Sequence, residues 1–268
     1  MPEVTDPYKP GTPCWVDLMV PDQRAALDFY RDLFGWQGEP GPPETGGYAV
    51  CTLNGRAVAG IVTAMAPEGQ PTPPTAWNSY LATGDADATA QAITDNGGSV
   101  LMPAMDVLTF GRMLVAADPT GAVFGVWQAR DFIGSQVVNE PGAVIWSELN
   151  TTDLDTAKAF YPALGVEAAP MEGAPGYFAL SVAGRIVGGL QGLDELPPGT
   201  PSHWMTYFSV EDTDSTVDAL TRAGGSALTP PFDMMAGRMA VVRDPQGATF
   251  AVINPTGPGP AEPPPARP

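Results

Sequence analysis

The chain has few histidines, cysteines and basic residues, which are the residues that bind metals, form disulfides and bind nucleic acids. It has one histidine, His203, and two cysteines, Cys14 and Cys51, both in its first half. Two cysteines cannot form a disulfide framework, so we expect a reducing, cytoplasmic setting. Acidic residues outnumber basic ones by 30 to 12, which gives a formal net charge of −18. We therefore expect no nucleic-acid partner and no binding to anionic lipid, because both require a basic surface.

Long apolar runs are also missing. No stretch is long enough to span a bilayer, and the N-terminus lacks the basic-then-apolar order of a secretory signal. The sequence has neither a glycine-rich nucleotide-binding motif nor a serine nucleophile elbow. We predict no cofactor. At 44% hydrophobic residues, 268 residues suffice for two globular domains. We expect a monomer or homodimer that binds a small molecule.

What the sequence does contain is one long internal repeat. Its segments return in the same order: Trp15–Leu18 as Trp146–Leu149, Asn54–Arg56 as Ala183–Arg185, Trp77–Tyr80 as Trp204–Tyr207, and Asp118–Gly121 as Asp244–Gly247. This repeat is far longer than the roughly 20–50 residues of a solenoid unit, which indicates two copies of a whole domain. We predict domains at 11–130 and 142–255, packed as one unit. The polar, proline-bearing segments 1–10 and 256–268 are predicted to be flexible tails.

Each copy has the same internal pattern of strands and helices. Alternating residues predict a strand over Trp15–Val20, and Asp22 and Gly35 are typical of the start and stop of the helix that follows. Further strands follow this helix. A second unit of strand, helix and strands then completes the copy. The pattern predicts an α+β protein made of four strand–helix–strands modules, each of the type βαβββ.

These features together resemble the vicinal oxygen chelate superfamily, which includes glyoxalase I, extradiol dioxygenases and bleomycin-resistance proteins. The resemblance rests on the "D…A…FY…LG" helix, the "VED" before a helix that ends in "GG", and the "DP.G" turn. The order of these elements is the same in both halves, although "VED" itself stands only in the second. More narrowly, the chain is similar to tandem two-domain actinobacterial proteins labelled glyoxalase-like or hydroxylase. The resemblance implies that paired modules curve into a half-barrel around a cleft, once in each half.

The resemblance also implies where metal ligands would lie. Carried over by position, they fall on Trp15, Asn78 and Gly125 in the first half, and on Trp146, Met205 and Ala251 in the second. Zinc, iron and nickel need imidazole, thiolate or carboxylate ligands, which these residues do not supply. With one histidine, a site of two histidines and one carboxylate is impossible within the chain. We predict no metal, and metal-dependent glyoxalase or dioxygenase chemistry is the least favoured function.

Aromatic and acidic side chains are predicted to fill the clefts instead. Because alternate residues of a strand share a face, Trp15 lies beside Asp17, and Trp146 lies beside Glu148. On the neighbouring strands and the last strand, the same face should hold Asn78, Tyr80 and Trp127 in the first half, and His203, Met205 and Tyr207 in the second. The small residues at the last-strand ligand positions are expected to leave room. These residues either bind a ligand or pack as core.

Three further residues are candidates with open roles. Arg112 and Arg238 occupy matched positions, where they could pair with the cleft acids, hold a ligand anion or form a structural ion pair. His203 is either a base in the second cleft or a rim residue. By alternation, Trp77 and Trp204 face away from the clefts and are predicted to pack inside the protein.

Two functions remain open. The first is binding or sequestration of a planar or apolar molecule between tryptophan and tyrosine. The second is a metal-free isomerase, lyase or hydrolase-like enzyme in which Asp17 or Glu148, assisted in the second cleft by His203, moves a proton. Divergence of His203 and Met205 from their counterparts Ala76 and Asn78 favours the second cleft as the more active one.

The first testable prediction concerns the metal. Elemental analysis of gently purified protein should find zinc, iron, manganese and nickel well below stoichiometric amounts, because the six ligand positions lack suitable donors. Activity or binding should survive extensive chelation. A stoichiometric transition metal that resists dialysis would contradict the prediction.

Overall fold

The first half of the chain forms one mixed sheet with two helices. The computed structural model describes residues 3–65, 72–194 and 198–256. The elements of the first half are β1 (Pro13–Val20), α1 (Gln23–Phe34), β2 (Ala49–Leu53), β3 (Arg56–Thr63), β4 (Ala76–Ala82), α2 (Ala86–Asp95), β5 (Ser99–Val107), β6 (Gly111–Ala117) and β7 (Val123–Ala129). Their order across the sheet is β2-β3-β1-β4-β7-β6-β5.

The second half repeats this arrangement. Its elements are β8 (Val144–Thr151), α3 (Leu154–Phe160), β9 (Glu167–Pro170), β10 (Tyr177–Val182), β11 (Arg185–Gly192), β12 (His203–Ser209), α4 (Thr213–Arg222), β13 (Ser226–Ala227), β14 (Phe232–Met234), β15 (Gly237–Arg243) and β16 (Thr249–Pro255). The sheet order is β13-β15-β16-β12-β8-β11-β10-β9, with β14 beside β15. The predicted α+β class with two tandem domains is confirmed.

Two modules meet at the centre of each sheet. In the first half, β1 runs parallel to β3 and β4 runs parallel to β7, while β1 and β4 are antiparallel neighbours. The first module has one strand fewer than the predicted βαβββ. Among the described residues, a single bridge between Gln37 and Thr52 stands where the strand after α1 was expected. The central antiparallel pair places the first strands of both modules side by side, and the cleft forms on their exposed face.

The helices begin and end at the predicted signals. The Asp22 carboxylate accepts a hydrogen bond from the backbone N–H of Ala25, and Gly35 ends α1 in the left-handed conformation at φ 76°. Asp85, Asp153 and Asp212 cap the other three helices in the same way. Such caps satisfy N–H groups that have no partner within the helix.

The two halves share their hydrophobic cores. One core joins Leu18 and Tyr30 of the first half to Phe208 and Phe250 of the second. The other joins Leu81 and Phe124 of the first half to Phe160, Tyr161 and Leu190 of the second. Each core thus takes one module from each half, so neither half buries its apolar face alone.

Two buried tyrosine–aspartate hydrogen bonds link the halves, and a tryptophan donates to each of the two tyrosines. The Tyr30 hydroxyl on α1 donates to Asp244 Oδ2 in the turn between β15 and β16, at 3.0 Å, and accepts from Trp77 Nε1 at 3.2 Å. The same arrangement recurs with the halves exchanged, in Tyr161, Asp118 and Trp204. These contacts explain why the "FY" and "DP.G" motifs repeat, and they confirm the packing role predicted for Trp77 and Trp204.

The N-terminal arm differs from its prediction. The Tyr8 side chain is buried and donates to Ser135 O at 2.6 Å, and Glu3 forms a bridge with Val137. The prediction of a flexible tail over 1–10 is therefore wrong for residues 3–10, because an aromatic anchor holds them to the junction. Residues 1–2 and 257–268 lie outside the described residues. No helix in the part of the chain that is described is long and apolar enough to cross a membrane.

The second prediction tests the link between the halves. Tyr30→Phe should lower the free energy of unfolding by about 1–3 kcal/mol for each buried group it leaves unpaired, here Asp244 Oδ2 and Trp77 Nε1. Urea unfolding followed by circular dichroism measures the change. The control is Tyr8→Phe, which removes one buried hydroxyl whose hydrogen bond joins the N-terminal arm to the junction and not to the second half. If the two variants lose equal free energies of unfolding, the hydrogen bond between the halves stabilises the protein no more than any other buried tyrosine hydrogen bond does.

Candidate functional site

The first cleft is built on the central strand pair of the first sheet. The β1–β4 register places Trp15 opposite Tyr80 and Asp17 opposite Asn78. Because the pairing is direct and side chains alternate, all four lie on one face of the sheet. The structure thus brings together the four residues that the sequence predicted for this face.

Asp17 is the centre of this cluster. Its Oδ2 accepts from the Tyr80 hydroxyl at 2.9 Å and from the Tyr48 hydroxyl at 3.2 Å, and its Oδ1 accepts from Asn78 Nδ2 at 3.2 Å. The side chain is 5% exposed, and within the described residues no basic group forms an ion pair with it. Burial raises the pKa of Asp17 to about 6, although the three hydrogen bonds lower it. The carboxylate is therefore held by neutral donors alone.

Tyr48 is a site residue that sequence reasoning missed. Its hydroxyl accepts from Trp15 Nε1 at 2.7 Å and donates to Asp17, so it connects the indole to the acid. The hydroxyl reaches this place across Gly60, where a Cβ would lie 1.9 Å from it. The repeat held a signal, since Tyr177 and Gly189 make the same pair in the second half, with a separation of 1.8 Å.

The second cleft has the same plan around Glu148. The Glu148 carboxylate accepts from Tyr177 at 2.7 Å, Tyr207 at 2.8 Å, Gln191 at 3.1 Å and Asn150 at 3.3 Å. Burial raises its pKa, against the hydrogen bonds of its tyrosine partners. A longer acid thus reaches one more amide donor than Asp17 does.

The tryptophan of the second cleft is placed as in the first. Trp146 Nε1 donates to the Tyr177 hydroxyl at 2.9 Å. Met205 lies opposite Glu148 in the β8–β12 register, where the first cleft has Asn78, and it supplies no hydrogen bond to the acid. The chain tryptophan–tyrosine–carboxylate is therefore common to both halves, while its surroundings differ.

The cavities above the two clusters differ in size and in their walls. The first cavity has a volume of about 600 Å³, and Trp15, Trp127 and Phe132 are among its lining residues. The second cavity has a volume of about 390 Å³, and Met171, Met234, Met235 and Ile253 are among its lining residues. Phe132 comes from the junction between the halves and was not predicted. Its ring meets Trp15 edge-on, with centroids 4.9 Å apart.

The two arginines lie elsewhere than at the cleft acids. Arg112 is bound to Asp87 at 2.8 Å and to Asp106 at 3.1 Å, and Arg238 is bound to Asp214 and Asp233. Of the three roles left open, the structural ion pair is the arrangement found, and pairing with Asp17 and Glu148 is not. Their role in ligand binding remains a prediction. Each arginine stands at the start of its strand, where the acids on the adjacent helix and strand are nearer.

His203 is placed at the edge of the second cleft. Its Nδ1 is 2.8 Å from Pro201 O, and the side chain lines neither cavity among the described residues. The assignment of His203 as a base above the ligand is therefore not supported by its position. The rim interpretation fits the contact.

Comparison with known proteins gives the family. The sequence model of the glyoxalase/bleomycin resistance protein/dioxygenase superfamily matches residues 14–126 and again 143–252. The chain belongs to this superfamily. It is 45% identical to CFP32 of Mycobacterium tuberculosis, which is named as a glyoxylase, over 92% of this chain and 96% of that protein.

Two further proteins show how far the likeness extends. The chain is 38% identical to the anthracycline biosynthesis protein DnrV of Streptomyces peucetius, over 92% of this chain and 94% of the relative. A 2,2',3-trihydroxybiphenyl 1,2-dioxygenase from Sphingomonas wittichii has the same fold, with a TM-score of 0.63, 15% identity and coverage of 95% of this chain and 93% of that one. At that identity the likeness concerns the fold alone.

The residues present do not fit the metal that other superfamily members hold. Gly125, at a ligand position, is covered by the ring of Tyr80, which would come within 2.1 Å of a Cβ there. The expectation that Gly125 leaves room is therefore wrong, because the tyrosine that binds Asp17 fills the space. Among the described residues, no group of three or more histidine, cysteine, aspartate or glutamate side chains could hold a metal.

The third prediction follows from the pKa of Asp17. A carboxyl whose pKa is about 6 in the folded protein and about 4 in the unfolded chain contributes stability below pH 4 that is lost as the pH rises through 6. Asparagine carries no charge at any of these pH values, so the Asp17→Asn variant does not lose this stability as the pH rises. The variant should gain about 2–3 kcal/mol relative to the parent between pH 4 and pH 7. Urea unfolding at several pH values measures the difference.

The matched control is Asp218→Asn, which removes the same charge from an exposed site on α4. This variant should follow the parent at every pH. If the Asp17→Asn and parent curves are parallel, the carboxyl of Asp17 does not titrate in this range.

Proposed function

We propose that the protein binds a flat, largely apolar organic molecule in the first cavity, without a metal. The observation that carries the proposal is the cavity of about 600 Å³ walled by Trp15, Trp127 and Phe132, with Asp17 at its base. Pockets for small organic ligands have volumes of about 300–1,000 Å³ and combine apolar walls with few polar groups. Aromatic rings held in fixed positions stack on flat ligands with little loss of conformational freedom.

The polar cluster gives such a ligand an orientation. The Tyr80 and Tyr48 hydroxyls both donate to Asp17, so their free lone pairs and those of Asp17 are acceptors. Because these groups present acceptors, a ligand with a hydroxyl or amine donor would bind with that group at the base of the cavity. Its rings would then lie against the aromatic wall.

The name of one relative agrees with a flat ligand. DnrV takes its name from the biosynthesis of anthracyclines, which are fused-ring aromatic compounds. A protein that holds a similar compound without a metal needs aromatic walls and a hydrogen-bonding base, and the first cavity has both. This supports the class of ligand, namely a planar polycyclic or substituted aromatic molecule.

An acid–base enzyme is the second candidate. The observation that favours it is a buried carboxyl with a pKa of about 6, next to two tyrosine hydroxyls on the cavity floor. Such a group takes a proton from a bound ligand and returns it at another atom, as in an isomerisation. A protein of this kind would lose turnover in Asp17→Asn while still binding its substrate.

The fourth prediction tests binding in the first cavity. Isothermal titration with 2-naphthalenemethanol, a neutral flat probe, should give a dissociation constant that rises about 5- to 150-fold in Trp127→Ala, because stacking area worth about 1–3 kcal/mol is removed. The control, Val123→Ala, shortens an exposed side chain on the same strand β7 and should bind like the parent. If Trp127→Ala also binds like the parent, the first cavity is not the site.

A further inference from the structure

The charged residues around the first cavity are all acidic. Asp17, Glu39, Glu44 and Asp106 line it, and among the described lining residues there is no lysine, arginine or histidine. A cavity lined by one sign of charge and by low-dielectric walls concentrates the opposite charge. How strongly the lining attracts a positive ligand group therefore depends on which of these acids already have a positive partner.

Two of these acids have positive partners already. Glu39 accepts from Arg24 at 2.9 Å, and Asp106 is bound by Arg112 at 3.1 Å and by Arg130 at 3.0 Å. These three ion pairs involve exposed carboxylates, where solvent weakens the interaction. They offset the charges of Glu39 and Asp106, so the preference for a cation depends mainly on Asp17.

Asp17 differs from these acids because it is buried and has only neutral partners. Its three hydrogen bonds come from two tyrosine hydroxyls and one amide. A buried carboxylate without a positive partner costs several kcal/mol relative to water, even when it is hydrogen-bonded. A ligand cation at the cavity base would supply the missing charge.

The same place suits a cation for a second reason. Trp15 is two residues from Asp17 on β1 and lines the same cavity, as does the ring of Tyr80. A positive group within about 6 Å of an aromatic ring is attracted to its face, most strongly to tryptophan. The carboxylate and the rings together make a site for an ammonium group joined to an aromatic body.

We propose that the first cavity selects flat aromatic compounds that carry a protonated amine, with Asp17 as the counter-ion. This inference rests on the proposed function, because it names the charge of the ligand that the aromatic cavity binds. The amine would lie at the Asp17 end and the rings against the wall that Trp127 and Phe132 form together. Anionic compounds of the same shape would be excluded.

The fifth prediction uses three probes with the same ring system. At pH 8 and moderate salt, isothermal titration compares 2-naphthylmethylamine, which is a cation, 2-naphthalenemethanol, which is neutral, and 2-naphthoate, which is an anion. The cation should bind at least tenfold more tightly than the alcohol, and the anion most weakly. Asp17→Asn should remove most of the preference for the amine, so that the ratio of the two dissociation constants falls from at least tenfold to near one.

The control for net charge is Asp218→Asn, which removes one exposed carboxylate far from the cavity and should preserve the order of the three probes. The comparison on the parent protein needs no variant, so it remains informative if Asp17→Asn is unstable. If the alcohol binds as well as the amine and Trp127→Ala weakens both, the cavity binds flat molecules but the charge preference is wrong. If no probe binds, both proposals fail.

Discussion

The hydrogen bond from a helix tyrosine of one half to a turn aspartate of the other is the contact on which the arrangement of the molecule depends. Tyr30 reaches Asp244, and Tyr161 reaches Asp118, so each helix of a first module is fixed to the last turn of the opposite half. The apolar cores form around these two contacts and use one face of each sheet. Only the other face of each sheet remains for a ligand, and this is where both tryptophan–tyrosine–carboxylate chains lie. The packing of the halves thus determines where binding can occur.

On that remaining face, hydrogen-bonding residues take the space that a metal site would need. The Tyr80 ring covers Gly125, and its hydroxyl binds Asp17, so the side chain that excludes a ligand at Gly125 also stabilises the acid. A metal centre would bring positive charge to the cleft, whereas this cluster brings a carboxylate and neutral donors. The cleft therefore offers a buried negative charge that no basic side chain among the described residues balances.

Local patterns in the sequence predicted the fold and half of the site, and the rest depends on contacts that no local pattern contains. Alternation on β1 and β4 placed Trp15, Asp17 and Tyr80 together, because strand neighbours share a face. Tyr48 was missed because it lies just before β2 and reaches Asp17 across Gly60, and Phe132 because it lies in the junction. The arginines were misplaced since alternation does not determine which nearby acid a long side chain at a strand end will meet. Comparison of the two copies would have found Tyr48, as Tyr177 stands at its equivalent.

The two copies share the tryptophan–tyrosine–carboxylate chain and differ in the side chains that line the cavities. We infer that the chain has a role common to both halves, while the cavity walls determine which ligand fits. Trp127 on β7 corresponds to Ile253 on β16, and the second cavity is smaller and partly lined by Met171, Met234 and Met235. Methionine side chains adapt to irregular shapes, whereas tryptophan and phenylalanine hold a flat surface. The sequence favoured the second cleft because it contains His203, but that side chain stands at the rim. The first cavity thus has a rigid aromatic wall over its acid, whereas the second has flexible side chains over an acid that one more amide donor holds.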